Sequence, residues 1–300
     1  MPRVLVATSE GLRSFDGRGS PRPVDHAGRD VTALAPDREE LWAVLDGSEL
    51  WHAPDGEAWV HLGDLEGHRA TCVAVTDGVL VGSSEARLFR VGGAGLEPVG
   101  SFDHADGRPS WYTPWGGPPA TRSISEWGQN VYVNVHVGGI LRTDDGGETW
   151  TPTIDIDADV HQVATAEGLV LAACAGGLAV STDRGGDWAL RFDGLEARYS
   201  RAVAVCGDSV LLTASSGPRG GRAAMYRGDL AGGPLERCGG GLPEWFDDNI
   251  DTYWLDALPD GSFAAFGTSD GRVFVSEDAG TTWSEPVSEL PPVRRVLVLP

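Results

Sequence analysis

The sequence predicts an all-β protein, folded as a seven-bladed β-propeller with four-stranded antiparallel blades. Three observations support this prediction: a hairpin pattern occurs seven times, its copies recur about every 40 residues, and the strand that the first copy lacks is found near the other end of the chain. The 42 glycines and 19 prolines among 300 residues favour many turns over long helices. We therefore expect residues 1–300 to form a single propeller domain.

Each copy of the hairpin pattern contains an apolar strand, a short turn rich in Gly, Asp or Ser, and a second apolar strand. A turn residue that tolerates positive φ allows the two strands to fold back on each other. Successive copies start 37, 38, 52, 38, 41 and 53 residues apart, so the third and sixth intervals contain insertions. The seven copies span residues 4–15, 41–53, 79–91, 131–143, 169–181, 210–227 and 263–276.

A further short apolar strand precedes every copy except the first, and we expect it to be the inner strand of its blade. The strand that the first copy lacks is found at 293–299, so the N- and C-terminal strands are predicted to pair and close one blade. Such closure removes an open sheet edge. The other inner strands are predicted at 31–35, 71–75, 122–127, 161–166, 201–205 and 252–258.

The charge of the chain restricts its partners. All 23 basic residues are arginine, against 44 acidic residues, and the formal net charge is −21. Such a surface repels nucleic acids and anionic membranes, so we expect the partner to be a small molecule, carbohydrates included, or a protein. Adaptation to high salt would explain the absence of lysine together with the acidity, and a GC-rich genome that encodes Arg in place of Lys would explain the absence of lysine equally well.

The N-terminal segment enters a strand pattern at once and lacks the apolar stretch of a secretory signal. No later segment resembles a membrane span, so we predict a cytoplasmic protein. We also expect it to be a monomer. The four cysteines form no CxxC pair, and Cys72, Cys174 and Cys206 lie in strand-like segments, so buried free thiols are expected.

The segment RTDDGGETW at 142–150 is either a reactive carboxylate site or a turn. Related segments occur at 180–188 and 275–283. An Asp side chain accepts hydrogen bonds from turn amides, Gly adopts a conformation closed to other residues, and Trp buries beneath the hairpin. Local chemistry explains every residue type, so we interpret these segments as structural turns.

These turns resemble the Asp-box, or BNR, repeat of sialidase-like and sortilin-like propellers, which belong to the WD40/YVTN/BNR-like repeat proteins. The pattern of that repeat is Ser/Thr-x-Asp-x-Gly-x-Thr-Trp. The segments at 143–150 and 276–283 match it fully, whereas Asp187 replaces the second Thr in the segment at 181–188. The resemblance implies a propeller whose Asp boxes lie away from its ligand.

Propellers bind ligands where inner strands begin, and polar residues lie at the start of each predicted inner strand. We therefore predict a ligand site at the mouth of the central channel, although polar walls of a water-filled channel would give the same pattern. The predicted ligand-binding residues are Arg122, His136, His161, Tyr199, Arg201, Trp245, Asn249, Asp251 and Arg294.

The insertions at 103–123 and 241–254 add aromatic residues to this region. Loops of this length usually have a function. Clustered aromatic rings near Arg, Asn and Asp suit a carbohydrate or a planar ligand, and the alternative is that they pack the insertions onto the rim. These aromatic residues are Trp111, Tyr112, Trp115, Trp245 and Phe246.

His136 ends one repeat and His161 begins the next, with Asp155, Asp157 and Asp159 close by in sequence. A metal site is conceivable, but the spacing matches no standard ligand pattern, so we predict no metal and no cofactor. A hydrogen-bonding histidine in the channel and a solvated strand face carrying the aspartates explain the same residues.

Two functions are compatible with these observations. We favour a noncatalytic module that binds its ligand at the channel mouth, because a fold alone does not imply chemistry. The alternative is a sialidase-like glycoside hydrolase acting on an anionic sugar. Tyr199 or Tyr253 is the candidate nucleophile, and Asp251 or Asp159 could transfer protons. The seven predicted blades depart from the six of sialidases. The arginines available to clamp the sugar are Arg122, Arg201 and Arg294.

Overall fold

The computed structural model describes residues 2–93 and 95–300. The chain is a seven-bladed β-propeller built from seven antiparallel sheets, as predicted. It divides into two compact units, which are described separately: unit 1 comprises Met1–Arg29, Leu171–Val180 and Ala189–Pro300, and unit 2 comprises Asp30–Val170 and Ser181–Trp188. Among the described residues, no helix is long and apolar enough to cross a membrane.

The strands are numbered along the chain, and each sheet is one blade. Blade 1 begins with β1 (Arg3–Thr8) and β2 (Gly11–Asp16). Blade 2 contains β3 (Val31–Asp37), β4 (Glu40–Leu45), β5 (Glu49–Ala53) and β6 (Val60–Asp64). Blade 3 contains β7 (Ala70–Thr76), β8 (Gly78–Ser83), β9 (Leu88–Gly92) and β10 (Gly95–Pro98). Blade 4 contains β11 (Thr121–Trp127), β12 (Asn130–Val135), β13 (Gly139–Thr143) and β14 (Thr151–Pro152).

Blade 5 contains β15 (Val160–Ala166), β16 (Leu169–Cys174), β17 (Gly177–Ser181) and β18 (Ala189–Arg191). Blade 6 contains β19 (Tyr199–Cys206), β20 (Ser209–Ser215), β21 (Ala224–Asp229) and β22 (Gly232–Arg237). Blade 7 contains β23 (Leu255–Ala257), β24 (Ala264–Gly267), β25 (Val273–Ser276) and β26 (Ser284–Val287), and β27 (Val293–Leu299) returns to blade 1. Short 3-10 helices span Phe102–His104, Arg108–Ser110 and Ile156–Ala158.

The two ends of the chain pair within unit 1, which confirms the predicted closure. The strand order of blade 1 is β2-β1-β27, so β27 takes the inner position. Leu5 lies opposite Leu297 and Val6 opposite Val296 in the antiparallel register. The N- and C-terminal strands therefore satisfy each other's backbone hydrogen bonds.

Blade 1 departs from the expected four strands in its outermost position. Six of the sheets have four strands, but blade 1 has three. Two isolated bridges, Leu12 with Asp25 and Phe15 with Pro21, stand in for the fourth strand. Pro21 and Pro23 lack the N–H that a regular ladder requires, which explains the interruption.

Each unit contains its own apolar layers between blades. In unit 1, Phe266 stacks on Phe274 at 5.0 Å, and Trp283 meets Phe266 edge to face at 4.9 Å. In unit 2, Val44 and Leu50 of blade 2 pack with Val81 of blade 3. Burial of such side chains stabilises the contact between successive blades by about 1.5–3 kcal/mol for each fully buried residue.

The three Asp turns, at 143–150, 181–188 and 276–283, share one hydrogen-bond network. In the first, the Thr143 hydroxyl donates to Asp145 at 2.7 Å and accepts the N–H of Gly147 at 2.9 Å, while Asp145 accepts the N–H of Thr149 at 3.0 Å. Equivalent bonds join the residues of the other two turns. The bonds from Thr149 lower the pKa of Asp145 most strongly. The structural interpretation of these segments is confirmed.

An arginine of the preceding blade fastens each Asp turn. Arg90 donates to the carbonyl of Gly146 at 2.6 Å, and Arg142 donates to the carbonyl of Arg184 at 3.1 Å. In unit 1, Nε of Arg227 donates to the carbonyl of Ala279 at 2.8 Å. The accepted carbonyl is the fourth residue of the turn in all three cases. Each turn therefore acts as a joint between blades as well as a loop within one.

The turn at 181–188 has a defect that its sequence predicts. In the other turns the hydroxyl of Thr149 or Thr282 donates to the second aspartate oxygen, at 2.6 and 2.7 Å. Asp187 occupies that position here, offers only its backbone N–H, and adds a second carboxylate beside Asp183.

We expect Asp187→Thr to raise the free energy of unfolding by about 0.5–1.5 kcal/mol, because it adds one hydrogen bond and removes a like charge. The reciprocal change, Thr282→Asp, is the matched control and is expected to lower it by a similar amount. Urea denaturation of the three proteins measures both effects. Loss of stability in Asp187→Thr would contradict the assignment.

Asp256 anchors the closing strand in unit 1. Its Oδ2 accepts the N–H of Val298 at 2.7 Å. Burial raises the pKa of Asp256 to about 6 from an ordinary value of 3.8. The folded chain therefore holds this proton more tightly than the unfolded chain, and the stability contributed by Asp256 falls as the pH rises from about 4 to about 6.

Removal of this titration is predicted to change the pH dependence of stability. We compare the unfolding free energy of Asp256→Asn with that of the wild type at two pH values. Relative to the wild type, the variant is expected to be more stable at pH 7.5 than at pH 4, by about 1–3 kcal/mol. Asp260→Asn is the control, because hydrogen bonds to Ser262 lower the pKa of Asp260 and give the opposite sign. An equal difference at both pH values would refute the role of Asp256.

Candidate functional site

The inner strands of blades 4 and 5 begin side by side in unit 2. The Ser123 hydroxyl of β11 accepts the N–H of Val163 in β15 at 2.9 Å. The Asn134 side chain of β12 donates to the carbonyl of Val160 at 3.1 Å. These buried bonds hold the start of β11, the end of β12 and the start of β15 in place. The predicted site residues carried by these strand ends are Arg122, His136 and His161.

His136, Asp159 and His161 form a cluster at these strand ends. Nε2 of His136 lies 3.4 Å from Oδ1 of Asp159, and Nε2 of His161 lies 3.6 Å from the same oxygen. His161 is fully buried, and the side chains of His136 and Asp159 are 10% and 24% exposed. The rings of the two histidines are 6.1 Å apart. The fold thus brings together residues of two repeats, although their spacing in the sequence matches no known ligand pattern.

The charges around Asp159 keep its carboxyl ionised. Burial raises the pKa of Asp159, but His136, His161 and Arg122 lower it, and the lowering prevails. An ionised carboxylate accepts hydrogen bonds or binds a cation, and it is a poor proton donor. This environment counts against Asp159 as a general acid.

Two left-handed backbone conformations shape the cluster. Val137, directly after His136, has a φ of 46°, and Asp159 has a φ of 47°. A positive φ is rare in a β-branched residue and often accompanies a functional site. The chain turns at both positions, so the local backbone decides where His136 and Asp159 lie.

The aspartates at 155–159 do not form the solvated strand face that the sequence suggested. They lie in and around the 3-10 helix Ile156–Ala158, where the Asp155 carboxylate accepts the N–H of Asp157 at 2.9 Å. A strand would separate these side chains onto two faces, whereas this turn uses Asp155 as a cap. Asp155 and Asp157 are exposed, and Asp159 alone of the three joins the cluster.

The insertion at 103–123 both packs onto blade 4 and presents aromatic surface. Trp111 is 8% exposed and lies 5.8 Å from the ring of Phe102. Trp115 is 65% exposed, and its ring stacks on His136 at 6.1 Å with an interplanar angle of 30°. Tyr112 is 47% exposed. The packing interpretation therefore holds for Trp111, whereas the surfaces of Trp115 and Tyr112 are accessible to a ligand.

In unit 1, Arg201 and Asp251 form an ion pair. Nη1 of Arg201 donates to both oxygens of Asp251, at 2.9 and 3.0 Å. Burial lowers the pKa of Arg201, but Asp251 and Tyr199 together raise it, and the raising prevails. The guanidinium of Arg201 also lies 5.3 Å from the ring centre of Tyr199. The sequence prediction placed these three residues at one site, and the structure brings them together.

The other predicted residues of unit 1 have structural contacts. Asn249 accepts the Ser215 hydroxyl and donates to the carbonyls of Gly217 and Pro218, so it holds the loop after β20. Arg294 is exposed on β27.

Trp245 lies between two guanidinium groups, those of Arg222 and Arg237, at 4.6 and 4.4 Å. Both arginines also pair with Glu196 at 3.3 Å. Phe246 is buried in the aromatic layer of blades 6 and 7. In this insertion the aromatic residues pack the loop onto the unit, as the alternative interpretation proposed.

An acidic cleft that no sequence pattern predicted lies at the opposite strand ends of unit 2. It has a volume of about 350 Å³ and is lined by Asp77, Arg90, Glu126 and Asp144 among others. Burial and the charge of Asp77 raise the pKa of Glu126. These residues come from strands and turns of two repeats, so no sequence motif connects them.

The sequence matches no protein-family model and no curated protein. Solved structures resemble it strongly. The GH74 xyloglucanase from Xanthomonas campestris is 16% identical, with a TM-score of 0.67 over 95% of this chain and 52% of the enzyme, so the chain spans about half the length of that enzyme.

YCF48 bound to the D1 peptide is 13% identical, with a TM-score of 0.60 over 99% of this chain and 95% of YCF48. The WD40 repeats of RRP9 are 12% identical, with a TM-score of 0.61 over 88% of this chain and 81% of that one. At these identities the likeness concerns the fold. It supports the conclusion, reached from the sheets, that this chain is a seven-bladed β-propeller.

Proposed function

We propose that this chain is a noncatalytic ligand-binding propeller whose ligand contacts Trp115, His136 and Arg122. The main support is that the largely exposed Trp115 ring stacks on His136. His136 is the more accessible of the two histidines in the cluster that also contains Asp159 and His161. Such an arrangement combines apolar contact area with groups that orient a ligand.

The ligand class follows from the charge of the chain and the aromatic surface. A net charge of −21 disfavours polyanions, and the exposed Tyr112 extends the aromatic surface around Trp115. A neutral or basic polypeptide segment that carries an aromatic or apolar side chain fits these features. The peptide bound to YCF48, a propeller of similar length, is consistent with this class.

We also propose that the chain is related to the Asp-box propellers and acts as one cytoplasmic domain and as a monomer. The shared network of the three Asp turns supports the relationship. Free cysteines at positions 72, 174, 206 and 238 fit a reducing compartment.

The glycoside-hydrolase alternative is less well supported. An acid catalyst needs a raised pKa, and that of Asp159 is lowered. Both oxygens of Asp251 accept bonds from Arg201, which leaves this carboxylate engaged. Arg201, Asp251 and Tyr199 of unit 1 are therefore a second candidate site for ligand contact rather than for catalysis.

Replacement of Trp115 tests the proposed site. Peptides that bind the wild-type chain are first selected on a peptide array. We expect Trp115→Ala to weaken the binding of these peptides by about tenfold or more, because a stacked ring contributes about 1–3 kcal/mol at such contacts. Trp127→Ala is the matched control, since Trp127 is 44% exposed and lies at the other end of β11. Isothermal titration calorimetry measures both variants.

Equal loss in the two tryptophan variants, or none in either, would contradict the proposal. If the chain binds glycans on a parallel array and no peptides, the proposed ligand class is wrong, and the Trp115 variant then tests the same site with a glycan. Turnover of fluorogenic glycosides that is abolished by Arg201→Ala and Asp251→Ala would favour the hydrolase.

A further inference from the structure

We propose that His136, Asp159 and His161 bind a divalent transition metal of the zinc class. This inference rests on the proposed ligand-binding function and extends it, since the metal would bind beside Trp115 and His136, where the ligand is proposed to bind. Zinc binding is measured without any other ligand, so either proposal can fail while the other survives.

The distances between the three side chains suit a metal. A tetrahedral ion with ligands at about 2.0–2.1 Å keeps its ligand atoms about 3.3 Å apart. The two histidine nitrogens lie 3.4 and 3.6 Å from Oδ1 of Asp159, and all three ligand atoms lie within 4.8 Å of one another. The two histidine ligand atoms lie at most 4.8 Å apart, so binding of an ion requires them to approach each other by side-chain rotation.

The central oxygen of the cluster lacks a satisfying partner. Oδ1 of Asp159 is buried and has no hydrogen bond of good geometry, since the imidazole nitrogens of His136 and His161 lie 3.4 and 3.6 Å away. A buried charged oxygen without a hydrogen bond is costly, and a metal ion between the three groups would remove that cost.

The chemistry of the donors selects the class of ion. Two imidazoles and one carboxylate favour zinc and its neighbours over calcium or magnesium, which prefer oxygen ligands. Three protein ligands leave a coordination position for water or a ligand, as in zinc sites that bind substrates. The partial exposure of His136 and Asp159 provides access to that position.

The backbone holds the donors before any ion arrives. His136 and Asp159 sit at the two left-handed turns described above, and His161 is fixed within β15 at zero exposure. Because the site is largely preformed, binding does not require the folding of a loop. The positive charge of Arg122 opposes the binding of a cation, since it interacts with Asp159.

Calorimetric titration of the chelator-stripped full-length chain with Zn²⁺ tests the proposal. We expect one equivalent to bind with micromolar or tighter affinity, and Asp159→Asn and His136→Gln to weaken binding by about tenfold or more. His61→Gln is the control, because His61 pairs with Asp64 at 3.2 Å on an outer strand. Binding that is absent, or that changes equally in all variants, would overturn the proposal.

The spectrum of the Co²⁺-loaded wild type keeps the test decisive if a variant fails to fold. Intense visible bands of a tetrahedral ion without thiolate charge-transfer absorption are expected. Cysteine ligation is disfavoured for Cys206 and Cys238, since burial raises the pKa of each thiol to about 11. Thiolate bands, or the weak bands of a hydrated octahedral ion, would refute the site.

Discussion

The pairing of β1 with β27 is the constraint on which the rest of the propeller depends. Chain ends usually fray, because few contacts hold them. Here the last strand becomes the inner strand of the first blade, and Val4, Val6, Val296 and Val298 join the apolar layer that blade 7 also supplies. The terminal segments therefore gain the burial of a central strand, and no sheet edge is left open at this seam.

The two ends of the strands serve different purposes in unit 2. At one end, the Asp turns satisfy their own amides and receive an arginine from the preceding blade. At the other end, the starts of β11 and β15 carry Arg122 and His161, His136 follows the end of β12, and an insertion lies beside them.

Most of the fold could be predicted because its signals are local. Alternation of apolar residues and Gly or Asp turns determine each hairpin from within one repeat. Exceptions arise where a single backbone position overrides the pattern. The inner strand expected at 252–258 covers only Leu255–Ala257, because Tyr253 has a φ of 64° and the chain forms a turn there, with Trp254 N–H bonded to the Asp251 carbonyl.

The candidate site was predictable in its residues but not in its geometry. The sequence identified His136 and His161, but their approach to Asp159 depends on left-handed turns at Val137 and Asp159 that no propensity indicates. The same limit applies to Trp115 and Trp245, which look alike in sequence. One is exposed beside a histidine, and the other is enclosed by two arginines that the fold supplies.

Hydrogen–deuterium exchange of the backbone amides tests the closure most directly. If the pairing of β1 and β27 holds the propeller together, amides of Leu5, Val6, Val296 and Leu297 that lie in the ladder will be protected as strongly as those of β20. Exchange of β1 and β27 at the rates of an unstructured peptide, with β20 still protected, would contradict the account.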